Sequence, residues 1–222
     1  MPAKSFYNRT AANYDLRQRN PWTQAVREAE LGLIKKHAKG KVLDIGCGTG
    51  FHLSWMEKNK GLWKDLAGCD ASKKMLEEAR KSLSSPLVEC AAERLQFPDG
   101  SFDTALCLFM VLNVCDHRKA LAEMKRVLKP GGTALLSVAS VWDSDEHKPR
   151  KVVRIDKGRL VLRLFDRGLL KEIERLGFSV VGFDSLFRAN RPRWGDWKSK
   201  VAEDLSQPVE RGAVWLLALE KT

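Results

Sequence analysis

Residues 42–50 read VLDIGCGTG: Val42, Leu43 and Ile45 flank Asp44, and Gly46, Gly48 and Gly50 follow two apart. A short apolar run ending in glycines predicts a strand that enters a tight turn, because glycine tolerates backbone angles that side chains oppose. The turn exposes main-chain N–H groups, and a helix expected over 51–58 adds its positive terminus, so an anionic group is favoured there. Asp70 lies 20 residues after Gly50, at the end of a second strand expected over 65–69. A carboxylate in that place accepts hydrogen bonds from ribose hydroxyls. The ligand is therefore nucleotide-like. Gly-x-x-x-x-Gly-Lys is absent, which argues against a phosphate-loop enzyme, and the third glycine comes one position early for a dinucleotide turn. Asp44, just before the turn, suits a ligand with a positive amino group and would serve a pyrophosphate poorly.

Working outward, residues 22–38 carry apolar groups at helical spacing and close at Gly40, which predicts a helix before the first strand. Ser72 is placed to cap a helix over 73–83, with Met75, Leu76 and Ala79 on its inner face. Further strands are expected at 87–90, 102–109 and 133–139, and a helix at 117–128 stopped by Pro130-Gly131-Gly132. Alternating strands and helices predict an α/β fold with a mostly parallel sheet. After residue 140 the rhythm changes. Residues 151–155 and 160–164, parted by Asp156-Lys157-Gly158-Arg159, read as a β-hairpin; a helix at 169–176 and strands at 178–186 and 214–219 follow. The chain thus divides into an N-terminal lid and first helix (1–40), a ligand-binding core (41–140), and a completion of the sheet (141–222). That last part carries a basic hairpin at 148–164 and a substrate-side loop at 188–212.

At 222 residues and 44% hydrophobic content, the chain can bury the core of one domain. No apolar run reaches the roughly 18 residues of a membrane span, and the opening MPAKSFYNRT lacks the apolar stretch of a signal peptide. Five cysteines without a Cys-x-x-Cys pair read as reduced thiols of a cytoplasmic protein, with no metal site. The net charge is +11, and residues 148–163 hold seven basic side chains against Asp156. Such a segment beside a near-neutral core could hold a polyanion; a solvated basic surface would read the same way.

Residues 42–50, Asp70, residues 92–97 with PDGSFD at 98–103, and VLKPGG at 127–132 follow in an order that resembles the class I S-adenosylmethionine-dependent methyltransferases. The likeness is to their ubiquinone/menaquinone methyltransferase-like group, and it covers residues 40–140 closely. It implies a Rossmann-like fold: a mostly parallel seven-stranded sheet, helices on both faces and a small β-hairpin insertion. It also implies S-adenosyl-L-methionine as cofactor and S-adenosyl-L-homocysteine as product. By the resemblance, Gly46, Cys47, Gly48 and Gly50 hold the methionine part, and Asp44 its amino group, directly or through water. Asp70 takes the ribose, Ala71 and Met75 line the adenine, and Ala92, Glu93, Leu108 and Tyr14 complete the cofactor set. Relatives often read Asp-Ala-Glu where this chain has Ala91-Ala92-Glu93, which passes the adenine amino group to Glu93 or water. Relatives also often carry paired histidines where Asn113 and Val114 stand.

No residue presents itself as a general base. His52 follows the glycine turn and reads as a cover for the cofactor, while His37, His117 and His147 fall at expected surface or linker positions. Transfer from an activated donor then relies on alignment in a pocket that excludes water. Acceptor-side candidates are Tyr7, Arg17, Arg19 and Trp22 in the lid, Phe109, Met110 and Asn113 after the fourth strand, Arg154 and Arg159 on the hairpin, and Arg191, Trp194 and Trp197 in the late loop. The first partner class is a small molecule. A second resemblance, to tRNA wobble-uridine carboxymethyl methyltransferases, rests on Tyr7-Asn8, Ala11, Pro21-Trp22 and the segment LRLFDRGLLKEIERLGF at 162–178. It makes RNA the alternative partner, with basic groups tracking phosphates and tryptophans stacking on bases. A cofactor-binding or protein-partner scaffold without turnover is the third reading.

Overall fold

The computed structural model describes residues 2–59, 61–140, 152–155, 160–186 and 214–222. Helices α1 (Pro2–Thr10), α2 (Tyr14–Arg17) and α3 (Pro21–His37) lead into β1 (Lys39–Ile45), α4 (Phe51–Lys58), β2 (Leu62–Asp70), α5 (Lys73–Ala79) and β3 (Leu87–Glu89). Then come β4 (Phe102–Cys107), α6 (His117–Val127), β5 (Leu128–Ala139), β6 (Val152–Ile155), β7 (Leu160–Arg163), α7 (Gly168–Arg175), β8 (Phe178–Leu186) and β9 (Val214–Lys221). The main sheet has seven strands in the order β3-β2-β1-β4-β5-β9-β8. Neighbours from β3 to β5 run parallel, and β9 runs antiparallel to both β5 and β8. β6 and β7 pair antiparallel as the hairpin insertion; its turn at 156–159 lies outside the described residues.

Alternation along the strands sorts the side chains into two layers. Leu43, Ile45, Ala105, Cys107, Ala134 and Leu136 pack with Ala120, Leu121 and Met124 of α6 and Ile173 of α7. Val42, Leu106, Leu135 and Ala218 pack with Ile34 of α3 and Met56 of α4. Asp44 and Ser137, in step with Val42 and Leu135, share this second face. That parity is why polar groups meet beneath α3 and α4.

Several boundaries differ from the sequence reading, each for a local reason. α5 stops at Ala79 rather than continuing to 83, and the Ser84 and Ser85 N–H groups donate to the Glu57 carboxylate instead of extending the helix. α6 ends at Val127, before Pro130, so the proline does not stop it; Pro130 lies in the irregular start of β5, where the register with β4 shifts between Phe102 and Thr104. β4 ends at Cys107, two residues early, because Phe109 and Met110 turn into the left-handed region at φ 52° and 65°. No helix among the described residues is long and apolar enough to cross a membrane.

Candidate functional site

The strand order reverses between β1 and β4, the point at which open α/β sheets form a crevice beyond the carboxyl ends of their strands. A cavity open to solvent at its mouth lies there, in the position where such sheets bind small molecules. Its floor is the glycine turn. Gly46 and Cys47 donate their N–H groups to the Cys69 carbonyl at 2.7 and 3.0 Å, and Gly50 donates to Cys47 at 2.9 Å. Gly46 and Gly48 have φ of 73° and 56°, a conformation that any side chain would strain.

Asp70 anchors the next wall. Its Oδ2 accepts from Gly48 N–H at 2.9 Å and its Oδ1 from Ser72 N–H at 2.7 Å. Burial raises its pKa and these two main-chain bonds oppose the rise. A carboxylate has about four lone-pair positions, so both oxygens can still accept from a ligand. Ser72 also caps α5, accepting from Met75 N–H at 3.2 Å, and Met75, Leu76 and Ala79 are buried on that helix.

The N-terminal segment is helical, and it roofs the cavity. Tyr7 and Tyr14 meet edge to face with ring centroids 6.1 Å apart. Burial, with Asp70 adding to it, pushes the Tyr7 phenol up to about 12; burial also raises Tyr14, so both remain proton donors. Arg27 of α3 lines the same space, its guanidinium 4.1 Å over the Phe51 ring and 5.6 Å from that of Phe109. Asp15 stands 3.8 Å from Arg27 and accepts from the Thr49 hydroxyl at 2.9 Å. Three thiols, Cys47, Cys90 and Cys115, also line the space. The hydrogen bond from Cys69 lowers the pKa of the Cys90 thiol, while burial pushes Cys115 up to about 12.

Of the residues expected at the cofactor, Tyr14, Gly46, Cys47, Gly48, Asp70, Ala71, Met75, Ala92, Glu93 and Leu108 line this one cavity. Asp44 and Gly50 do not line it. Gly50 is buried at the N-cap of α4. Asp44 is 1% exposed, and its Oδ2 has no hydrogen-bond partner among the described residues. His52 does line the cavity, with Nδ1 3.8 Å from that oxygen. Burial raises the Asp44 carboxyl to about 6, against the pull of His52. An unpartnered buried carboxylate oxygen under the glycine turn fits a ligand that brings an ammonium group. Glu93 is partly engaged, since its Oε1 accepts from Asp116 N–H at 3.1 Å.

Of the acceptor-side candidates, Tyr7 and Phe109 line the cavity. Arg17 and Arg19 are exposed and do not line it; Trp22 packs against the cluster of Val26 and Leu216, and Met110 against Ala139 and Leu164. Asn113 is buried away from it. Its amide exchanges bonds with Ala139 N–H and carbonyl at 2.9 and 3.0 Å and donates to the Arg163 carbonyl, tying β5 to β7. Arg154 lies on β6, while Arg159, Arg191, Trp194 and Trp197 fall outside the described residues. His117 is a correction to the surface reading: it is 7% exposed and bonded to Glu172 at 2.8 Å and to Arg163 at 2.7 Å. Among the described residues no cluster of His, Cys, Asp or Glu could hold a metal ion.

Sequence reasoning missed Arg27, Phe51 and above all Glu30, which is fully buried. The signal was present. Val26, Glu30 and Ile34 follow at intervals of four, so the glutamate stands in the apolar stripe of α3.

The methyltransferase domain family matches residues 43–136, from β1 to β5. A ubiquinone/menaquinone biosynthesis C-methyltransferase of Burkholderia mallei is 38% identical over 110 residues, 47% of this chain and 45% of its own. Residues 43–136 therefore form a class I S-adenosylmethionine-dependent methyltransferase domain. An uncharacterized protein of Methanocaldococcus jannaschii is 37% identical over 145 residues, 64% of this chain and 54% of its own. The chain spans about half the length of these curated relatives. In fold the chain is similar to 1,6-didemethyltoxoflavin-N1-methyltransferase of Burkholderia thailandensis, solved with S-adenosylhomocysteine. That likeness has a TM-score of 0.68 at 17% identity and covers 100% of this chain and 88% of the other.

Proposed function

We propose that this methyltransferase transfers the methyl group of S-adenosylmethionine to a small-molecule nucleophile, and that its residues act by positioning. The supporting observation is the cavity itself, where the glycine turn and Asp70 meet a roof of Tyr7 and Tyr14 and walls of Phe51 and Phe109. Such a chamber suits a compact acceptor better than a polymer. Two proteins named for small-molecule chemistry, the C-methyltransferase of ubiquinone/menaquinone biosynthesis and the 1,6-didemethyltoxoflavin-N1-methyltransferase, point the same way.

When bound, the cofactor supplies a methyl group already activated on a sulfonium. The chain has to hold and orient both partners and exclude water. Gly46 and Gly48 let main chain approach the methionine part, and Asp70 accepts from the ribose hydroxyls. Arg27 sets a positive charge beside the aromatic walls, where a carboxylate of cofactor or acceptor would meet it. His52 is bonded to Glu30 through Nε2 at 3.0 Å, and its Nδ1 faces Asp44 at 3.8 Å, so both ring nitrogens are directed at carboxylates of the chain.

Incubation with methyl-labelled S-adenosylmethionine and the separated small-molecule, RNA and protein fractions of a cell extract tests this reading. Label should appear in the small-molecule fraction. Label confined to RNA or protein would overturn the acceptor class, and failure to bind S-adenosylhomocysteine would overturn the cofactor placement.

A further inference from the structure

Glu30 has 0% of its surface exposed, yet its carboxylate touches three other elements. Oε1 accepts from the main-chain N–H of Phe109 at 2.7 Å and from the Ser137 hydroxyl; Oε2 meets His52 Nε2 at 3.0 Å. The Phe109 N–H is shared with Ser137 Oγ at 2.6 Å, and Met110 N–H donates to the Ser137 carbonyl at 3.2 Å. In this pair Nε2 of His52 is assigned as the donor and the Glu30 oxygen as the acceptor. A carboxylate this deep is costly unless every oxygen is satisfied, and an aliphatic residue would fill the same stripe of α3 without that cost. The placement calls for a reason beyond packing.

What it holds is strained. Phe109 and Met110 are consecutive non-glycine residues at φ 52° and 65°, a pairing that persists when surrounding bonds enforce it. Those bonds come from Glu30 and Ser137. Their effect is to set the Phe109 ring in the cavity wall. On its other side the same carboxylate fixes His52, whose Nδ1 faces the unpartnered Oδ2 of Asp44 at 3.8 Å. One buried group thus connects the acceptor-side wall to the carboxylate beneath the glycine turn.

We propose that Glu30 is a positioning residue for methyl transfer: it locks the Phe109 turn against the acceptor side and, through His52, sets Asp44 for the amino-acid end of the cofactor. The cofactor half rests on the placement of the methionine part at the glycine turn; the Phe109 half does not. The charged groups that act on His52 are Glu30 and Arg27 from α3 and Asp44 from β1, and Asp44 in turn is acted on by Glu30 and by Asp70 from β2. Burial works against a charge on His52, but Glu30 and Asp44 outweigh it and raise its pKa.

The test combines S-adenosylhomocysteine calorimetry across pH 6–8.5 with NMR titration of the His52 imidazole, in wild type, Glu30→Gln and His52→Gln. Glutamine keeps the size of Glu30 and an acceptor for Phe109 but removes the charge facing His52. Glu30→Gln should be folded by circular dichroism and bind about tenfold more weakly, in line with loss of one charged hydrogen bond. Its His52 titration should fall toward or below the ordinary histidine value, and the pH dependence of binding should flatten. A folded Glu30→Gln chain with wild-type affinity, pH profile and His52 titration would overturn the proposal. If Glu30→Gln does not fold, His52→Gln decides: weaker binding with a flattened pH profile supports the link, and wild-type behaviour refutes it. The His52 titration needs no ligand. If wild type fails to bind S-adenosylhomocysteine, the cofactor reading falls, while an unchanged titration in Glu30→Gln still refutes the role of Glu30 and a lowered one supports it.

Discussion

Gly48→Ala separates the cost of a glycine turn from the cost of crowding the cofactor. Gly48 has φ 56°, and no described atom lies within 4 Å of a Cβ built there. In the free chain the substitution therefore adds backbone strain without a clash, about 1–2 kcal/mol for an L-residue in the left-handed region. For a chain of this size that is a fall in Tm of about 2–8 °C. Gly100→Ala is the matched control, with φ 60° and equally open space, and Gly100 does not line the cavity. It should cost the same stability. The variants should part on S-adenosylhomocysteine binding. The new methyl at Gly48 stands in the cavity wall, and forcing one extra carbon into a filled space costs about 1–3 kcal/mol, or about 5- to 150-fold in Kd. Gly100→Ala should bind as wild type does. Calorimetry and thermal unfolding on the three proteins decide it. Wild-type affinity in Gly48→Ala, or an equal loss in Gly100→Ala, would refute the placement of the cofactor on this turn. Gly46→Ala differs again: at φ 73° its Cβ would overlap Val111 Cγ2 and stand 2.9 Å from Cγ1. Its stability loss should be larger, about 2–5 kcal/mol, even without ligand.

Asp70→Ala removes the acceptor for the Gly48 and Ser72 N–H groups as well as the ribose acceptor, so S-adenosylhomocysteine affinity should fall more than about tenfold; an unchanged Kd would count against the ribose role. Asp44 has a folded-state pKa of about 6, raised by burial above 3.8. The folded state therefore binds the proton more tightly, and this group's contribution falls as pH rises from 3.8 to 6, by about 3 kcal/mol in all. His52 adds to the trend at higher pH, since its raised pKa gives stability that is present below 6.5 and lost as pH passes the folded value. Asp44→Asn should flatten the lower window in urea unfolding at pH 4–7, and curves parallel to wild type would contradict the burial argument. Arg126 donates to Glu123 and Asp99 and to the Leu95 and Phe97 carbonyls, pinning residues 95–99 to α6. Arg126→Ala should lower stability by about 1–3 kcal/mol in thermal unfolding; a loss under about 0.5 kcal/mol would mark the cluster as a solvated surface network.

Much of the core was legible before any coordinates. The strand-to-turn transition at Asp44–Gly50 rests on apolar runs and glycines, which act locally, and α4 falls at residues 51–58, as expected of the helix that follows the turn. Asp70 closes β2 because strand length places it there. The errors also have physical causes. β4 looked two residues longer because Leu108 and Phe109 continue its apolar pattern; the bonds that bend the chain come from Glu30 and Ser137, 79 and 28 residues away. His117 read as a surface residue because its partners, Glu172 and Arg163, are 55 and 46 residues distant.

By itself, the sequence determined the alternation of elements, the glycine turn and the carboxylate that follows it, since hydrophobic periodicity, capping and backbone freedom act over a few residues. Tertiary structure decided that Asp44 lies beneath the cavity rather than in its wall, that His52 stands beside it, and that Glu30 reaches both His52 and Phe109. Those relations depend on which face of β1 and β5 looks toward α3 and α4. A strand's parity is written in its own residues, but the neighbour that covers each face is chosen by packing the whole chain.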